Sequence, residues 1–284
     1  MSEIYRSEPG AQLLREHYQR ALAQWPVEHE EHRVPTPEGE TFVLSCGPAT
    51  AEPLVLLHGS GANSTQWMSR VAELTTRFRV YAIDIIGEPG LSAPARPPLD
   101  SDRYAVWLDA VLDGLGLGRV PIMAVSLGGW LALDYASRRP DRVQRLALSC
   151  PTGVGRQRKG FLVKALLLNL LGRSGRLRSV RLILGPGLAS LEPAETAMVL
   201  DQVQRVARNY RYRSGDLPVF DDAALRRLTM PVHVLAGELD VMLDSRETKR
   251  RLEALAPHAT VRLLPGVGHF VPAQPAVESE FLTS

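Results

Sequence analysis

Apolar residues recur along this chain with two spacings that alternate. Short apolar runs rich in β-branched residues read as buried strands: "PLVLLHG" (53–59), "RVYAIDI" (79–85), "VPIMAVS" (120–126), "VQRLALS" (143–149), "MPVHVLAGE" (230–238) and "ATVRLLPG" (259–266). Between them, residues 66–77, 102–115, 127–139 and 246–256 place apolar positions at helical spacing. Strand and helix in alternation predict βαβ units and a mostly parallel sheet covered on both faces. Ahead of this region, Ser7 is a candidate N-cap for a helix over 11–25, and "EHRVPTPEGETFVLSCG" reads as two strands joined by a Pro/Gly turn.

The alternation breaks once. From 151 to 215 no strand pattern occurs, and "GFLVKALLLNLLGRSGRLRSVRLILGPG" followed by "EPAETAMVLDQVQRVARNYRYRS" predicts helices inserted between two strands. Ligands of α/β sheets bind outside the carboxyl ends of the strands, so an insertion leaving from such an end is a candidate cap. The expected organisation is a core over 1–150, a helical cap over 151–215 and the rest of the core over 216–284. The run "FLVKALLLNLLG" is expected to line a pocket and pack on the core, so membrane contact is not expected.

Composition narrows the class. With 284 residues, 45% hydrophobic and a formal net charge of +2, the chain can bury one large core and gives no reason to expect nucleic acid. Only Cys46 and Cys150 occur, far apart and in apolar settings, which suits a reducing compartment. The start "MSEIYRSEPG" lacks the apolar stretch of a secretory signal, and no run approaches the ~20 apolar residues of a membrane span. A cytoplasmic protein is expected, with a homo-oligomer left open and no cofactor or metal, since no nucleotide loop or metal-ligand spacing stands out. The cap segment is itself basic, with twelve Lys/Arg against three Asp/Glu over 151–215. A solvated outer face explains such charge, and Arg173, Arg176 and Arg178 are the candidates for attracting an anionic substrate.

The chemistry concentrates at "MAVSLGGW". Ser126 follows the strand "PIMAV" and precedes the helix former "LGGWLALDYA", the context of a nucleophile elbow, where a strained turn projects a serine Oγ into a crevice. The flanking positions must be small because strand and helix backbones nearly touch. Gly128 satisfies this and Ala124 departs from it by one methyl. A serine alone is a poor nucleophile, so a histidine to take its proton and a carboxylate to orient that histidine are required, in the chain order Ser, acid, His. Asp240 in "VLAGELDVML" and His269 in "LLPGVGHFVP" stand just past strands in that order. Asp244 is the competitor for the acid. Asp84 is expected to shape the loop "DIIGEPGLS" instead.

"HGSGANSTQW", "DIIGEPGLS", "VSLGGW", "GELD" and "GVGHF" together resemble the α/β-hydrolase-fold superfamily over residues 29–284, and the whole pattern is similar to a branch of bacterial carboxylesterases. The resemblance implies an α/β-hydrolase fold, a mostly parallel eight-stranded sheet flanked by helices with the cap after strand 6. It implies hydrolysis of a small-molecule ester through an acyl-enzyme at Ser126, with His269 as base. It also implies an oxyanion hole from the backbone N–H of Leu127 and of Ser60, with Gly61 the alternative. Gly61, Trp67 and Phe270 are the expected substrate-pocket residues.

Two alternatives carry weight, and a peptidase reading is disfavoured. A C–C bond hydrolase of ring-cleavage products shares the loop His58-Gly59-Ser60-Gly61 and suits a basic cap, but its members usually have Trp after the catalytic histidine, where this chain has Phe270. A peptidase holding a substrate amine would need more cap carboxylates than Glu192 and Glu195 offer. A non-catalytic receptor or scaffold of the same fold is separated from an enzyme by turnover of simple esters.

Overall fold

The computed structural model describes residues 4–283, apart from the side chain of Arg173. Helix α1 (Glu8–Leu22) is capped by Ser7, whose side chain accepts from the Gly10 N–H. Strands β1 (His29–Val34) and β2 (Thr41–Cys46) form the expected hairpin. They are followed by β3 (Glu52–Leu57), α2 (Met68–Leu74), β4 (Phe78–Ile83), α3 (Arg103–Gly114), β5 (Val120–Val125), α4 (Leu127–Arg138) and β6 (Val143–Ser149). Helices α5 (Gly160–Asn169), α6 (Gly172–Leu184), α7 (Pro193–Asn209) and α8 (Asp222–Arg226) then intervene before β7 (Val232–Gly237), α9 (Ser245–Leu255), β8 (Ala259–Leu264) and α10 (Pro275–Thr283).

The eight strands make one sheet in the order β1-β2-β4-β3-β5-β6-β7-β8. β2 is antiparallel to both its neighbours, and every other pair is parallel. From β3 the chain crosses to β4 on one side and then back past β3 to β5 on the other. The direction of winding therefore reverses between β3 and β5, which pair directly at Leu57 and Ala124. The loops leaving the carboxyl ends of these two strands face each other and open the crevice that such a reversal creates.

Alternation along each strand divides the core between the faces of the sheet. On β3, Leu54 and Leu56 pack with Tyr18, Leu22, Trp67 and Leu282 on the side of α1, α2 and α10. Val55 and Leu57 pack with Trp107, Trp130, Leu225 and Leu252 on the side of α3, α4, α8 and α9. Burial on both faces is why these strands read as continuous apolar runs, and each such side chain contributes about 1.5–3 kcal/mol when removed from water. A buried ion pair, Arg70 Nη1 to Glu278 Oε2 at 2.6 Å, fastens α10 to α2.

Three differences from the sequence reading have physical causes. The helix expected over 66–77 is a 3-10 turn, Ser64–Trp67, capped by the Asn63 side chain, and then the short α2. Helix α10 was not expected, although Pro275 at its first turn is a start signal. The apolar run in α5 does not pack on the core: only Ala165 of that helix is buried, because the helix has partners on one side only.

Candidate active site

Ser126 sits between the last residue of β5 and the first of α4 with φ 51° and ψ −107°. Among the described non-glycine residues, only Ser126 and Cys150 have positive φ. Such a backbone costs of order 1–3 kcal/mol and persists only where its surroundings enforce it. The Ser126 N–H donates to the Ser149 carbonyl at 3.0 Å, and its own carbonyl accepts from Trp130 N–H at 3.0 Å. A Cβ at Gly128 would lie 2.6 Å from the His58 carbonyl oxygen and closer still to that of Leu57, so helix and strand meet here backbone to backbone. Ala124 is fully buried, so the extra methyl is accommodated inside the sheet.

Asp240 follows β7 and His269 follows β8. Their loops are pressed together at Gly237, where a Cβ would collide with the carbonyls of Val267 and Gly268. That approach brings His269 Nδ1 to 2.8 Å from Asp240 Oδ2 and leaves His269 Nε2 3.0 Å from Ser126 Oγ. A carboxylate only accepts, so Nδ1 carries the proton of the neutral ring and Nε2 presents a lone pair to the serine hydroxyl. The other Asp240 oxygen accepts the N–H groups of Met242 and Leu243 at 2.7 and 3.1 Å, which fixes the carboxylate. Asp244 is elsewhere: it caps α9 through the Glu247 N–H and pairs with Arg158. Asp84 is fully buried and binds Tyr18, Ser64 and the Leu91 N–H, tying its loop to β4.

Burial works against charge on His269. Cys150, with Sγ 3.9 Å from Nε2, and the hydrogen-bonded Asp240 carboxylate outweigh it, so the His269 pKa stands well above the ordinary histidine value.

The loop after β3 brings three consecutive N–H groups to this crevice. That of Gly59 donates to Gln66 Oε1 at 2.9 Å and that of Gly61 to Glu88 Oε2 at 2.6 Å. The Ser60 N–H between them has no acceptor among the described residues. On the facing side, the Leu127 N–H opens α4 and has no intrahelical acceptor, at the positive end of the helix dipole. His58 is fully buried and structural: its Nε2 accepts from Ile85 N–H at 3.0 Å, so Nδ1 donates to the Gly59 carbonyl.

The pocket residues expected from sequence scatter. Trp67 is 3% exposed and belongs to the core under the sheet, with Val71 and Leu74, and not to an open cavity. Gly61 lies beneath the Tyr212 ring, which a Cβ would meet at 2.5 Å. Phe270 packs against Val180, Leu188 and Leu200 of the inserted helices, and its N–H donates to the Leu184 carbonyl at 2.8 Å. An open cleft of about 890 Å³ between α1 and β1 is lined by none of the residues expected to act in catalysis or to line the substrate pocket.

Sequence reasoning missed Glu88. Its carboxyl is 1% exposed, with Oε2 held by the Gly61 N–H and the Tyr210 hydroxyl at 2.8 Å and Oε1 without a partner among the described residues. Burial pushes its pKa up, against the pull of those two donors. Arg96 in turn donates to the Tyr210 hydroxyl at 2.6 Å and to the Arg211 carbonyl at 2.7 Å. The available signal was a second acid, after Asp84, in the loop after β4, at the carboxyl end of a strand beside the crevice.

An open sheet with a strained serine at a strand-to-helix turn and a histidine and an acid after the last two strands defines an α/β hydrolase. The chain belongs to the alpha/beta hydrolase family, whose profile matches residues 54–279. It is 29% identical over 262 residues, 89% of this chain and 86% of the relative, to carboxylesterase YbfK of Bacillus subtilis strain 168. It is 30% identical over 255 residues, 89% of this chain and 84% of the relative, to the uncharacterized carboxylesterase nap of the same strain. The crystal structure of naproxen esterase from Bacillus subtilis matches it with a TM-score of 0.80 at 27% identity, covering 98% of each chain.

Proposed function

We propose that the chain is a serine carboxylesterase in which Ser126, His269 and Asp240 act as nucleophile, base and orienting acid. The observation that carries this reading is the unbroken hydrogen-bond chain from Ser126 Oγ through His269 to Asp240, at 3.0 and 2.8 Å, on a serine held at positive φ. Ser126 Oγ attacks the ester carbonyl as His269 Nε2 takes its proton. The developing oxyanion meets the Ser60 and Leu127 N–H groups. His269 then protonates the departing alcohol, and water activated by the same imidazole releases the acid from Ser126. Engagement of the Gly61 N–H by Glu88 favours Ser60 as the second donor.

Residues 151–215 act as a cap in this reading. The Leu184 carbonyl holds Phe270 next to His269, and Gly185 touches Gly268, so the insertion rests on the histidine loop. Of the candidate anion-attracting residues, Arg178 is exposed to solvent, which favours an ester substrate over the anionic C–C bond alternative. The side chain of Arg173 lies outside the described residues.

The test is turnover of p-nitrophenyl esters from acetate to palmitate by wild type and Ser126→Ala. A serine esterase loses about 10⁶-fold in kcat on losing its nucleophile, and the chain-length optimum sizes the acyl pocket. Equal turnover by both proteins overturns the assignment. Silence in both moves the weight to C–C bond hydrolysis or to ligand binding without turnover.

A further inference from the structure

Helix α5 reverses the usual division of a surface helix. Leu162, Val163, Leu166 and Leu167 are 51–64% exposed, and Leu170 and Leu171 just past its end are 76% and 63% exposed. At about 100° per residue, Leu162, Val163, Leu166, Leu167 and Leu170 share one face about 140° wide, and Ala165 with the half-buried Phe161 and Leu168 forms the side turned inward. A contiguous apolar face of this kind marks an interaction surface.

Along the chain on either side of α5 the charge is of one sign. From 156 to 191 the chain has eight Lys/Arg and no Asp or Glu. Arg156, Arg158 and Lys159 are neutralised by Glu247, Asp244 and Asp216. Lys164 at the border of the leucine face, and Arg178 and Arg181 on α6, are exposed and have no carboxylate in ion-pair range among the described residues. Gly175 lets α6 lie directly on the Leu168 carbonyl, which sets these cations beside α5.

We propose that α5 docks this protein on an anionic lipid surface, with the leucine face in the headgroup–acyl boundary and Lys164, Arg178 and Arg181 on the headgroups. At ten residues α5 is about 15 Å long, too short to span a bilayer and suited to lying in its plane. No helix among the described residues is long and apolar enough to cross. A second copy of the chain is the poorer occupant, because pairing the same face about a two-fold axis would oppose like uncompensated charges. The docking does not rest on the esterase reading.

The experiment is co-sedimentation of the full chain with vesicles of phosphatidylcholine alone or mixed with phosphatidylglycerol. Wild type should pellet with the mixed vesicles, release as salt is raised, and pellet weakly with phosphatidylcholine. Leu166→Asp/Leu170→Asp and, separately, Lys164→Gln/Arg178→Gln/Arg181→Gln should each lose about tenfold or more in binding. Both should keep the wild-type elution volume and hydrolysis of a soluble short-chain ester. Failure of wild type to pellet with the mixed vesicles at low salt overturns the proposal. So does wild-type binding by both variants, or a wild-type dimer that Leu166→Asp/Leu170→Asp dissociates. Binding is read without turnover, so it stands or falls separately from the esterase assignment.

Discussion

The Gly61 N–H donates to Glu88 Oε2 across 2.6 Å, and the same oxygen accepts from the Tyr210 hydroxyl. One buried carboxyl thereby joins the loop after β3, the loop after β4 and the chain leaving α7. It fixes the plane of the Gly61 peptide and, through it, the aim of the neighbouring Ser60 N–H.

If the Ser60 N–H serves the oxyanion as proposed, Glu88→Ala is expected to lower kcat by about tenfold or more with little change in KM, since loss of an oxyanion donor outright costs about 10²–10³ and here the donor would be misdirected, not removed. Glu88→Gln keeps an oxygen for the Gly61 N–H and should recover most of the rate. Steady-state kinetics of both variants on one soluble ester provide the check. A wild-type kcat in Glu88→Ala would reduce Glu88 to a structural strut.

The Asp240 carboxylate makes three hydrogen bonds, two to backbone N–H groups and one to His269 Nδ1. Asp240→Asn keeps the volume but offers Nδ1 an amide that can hold the ring in the wrong tautomer, so kcat should fall by up to about 10⁴ with the fold intact. Asp244→Asn should leave kcat unchanged, since that residue serves only α9 and Arg158. Paired measurement of kcat and thermal midpoint separates the two acids, and a larger rate loss in Asp244→Asn would reassign the triad.

The pH profile follows from the raised pKa of His269. In its proposed role as base the ring must be neutral, and a raised pKa keeps it protonated to higher pH. The acid limb of kcat/KM should therefore lie above the ordinary histidine value of about 6.5. Cys150→Ala removes one cause of the elevation and leaves burial, which opposes the charge, so the limb should move to lower pH. An unmoved limb in Cys150→Ala would show that the sulfur takes no part in setting it.

Much of this was legible in the sequence, because the signals were local. The elbow is one strand, one serine and one helix in a row, and Gly128 is small for the reason the spacing suggested. His269 and Asp240 each follow an apolar strand, so their positions on the sheet edge could be read from strand ends. What escaped depends on partners remote in sequence. Glu88 meets Gly61 and Tyr210 only after three loops fold together. Trp67 looked like pocket lining because its neighbours in sequence border the crevice, but its own side chain turns under the sheet. The leucines of α5 looked like core because apolarity predicts burial, and nothing in the run itself says that only one side of the helix finds a partner.

The tightness of the elbow gives the last prediction. A methyl at Gly128 would press on the carbonyl oxygens of Leu57 and His58, backbone atoms of the strand end that leads into the loop of Ser60. Neither can rotate aside as a flexible side chain would, so Gly128→Ala must push α4 away from β3 or distort the strand end. Overpacking of this kind costs about 1–3 kcal/mol, and here the displacement falls on the path from Leu57 to Ser60. Stability and kcat should fall together, with the loss in kcat exceeding what the unfolded fraction explains. Ala124→Gly is the contrasting change at the other flank, since it only removes a methyl already accommodated inside the sheet. It should cost about 0.5–1 kcal/mol in strand stability and leave kcat unchanged. Thermal midpoints and kcat for the two variants decide the matter: a Gly128→Ala protein with wild-type values of both would mean that the strand–helix contact at the serine has slack, and that smallness at this position is not what holds Ser126 in its strained turn.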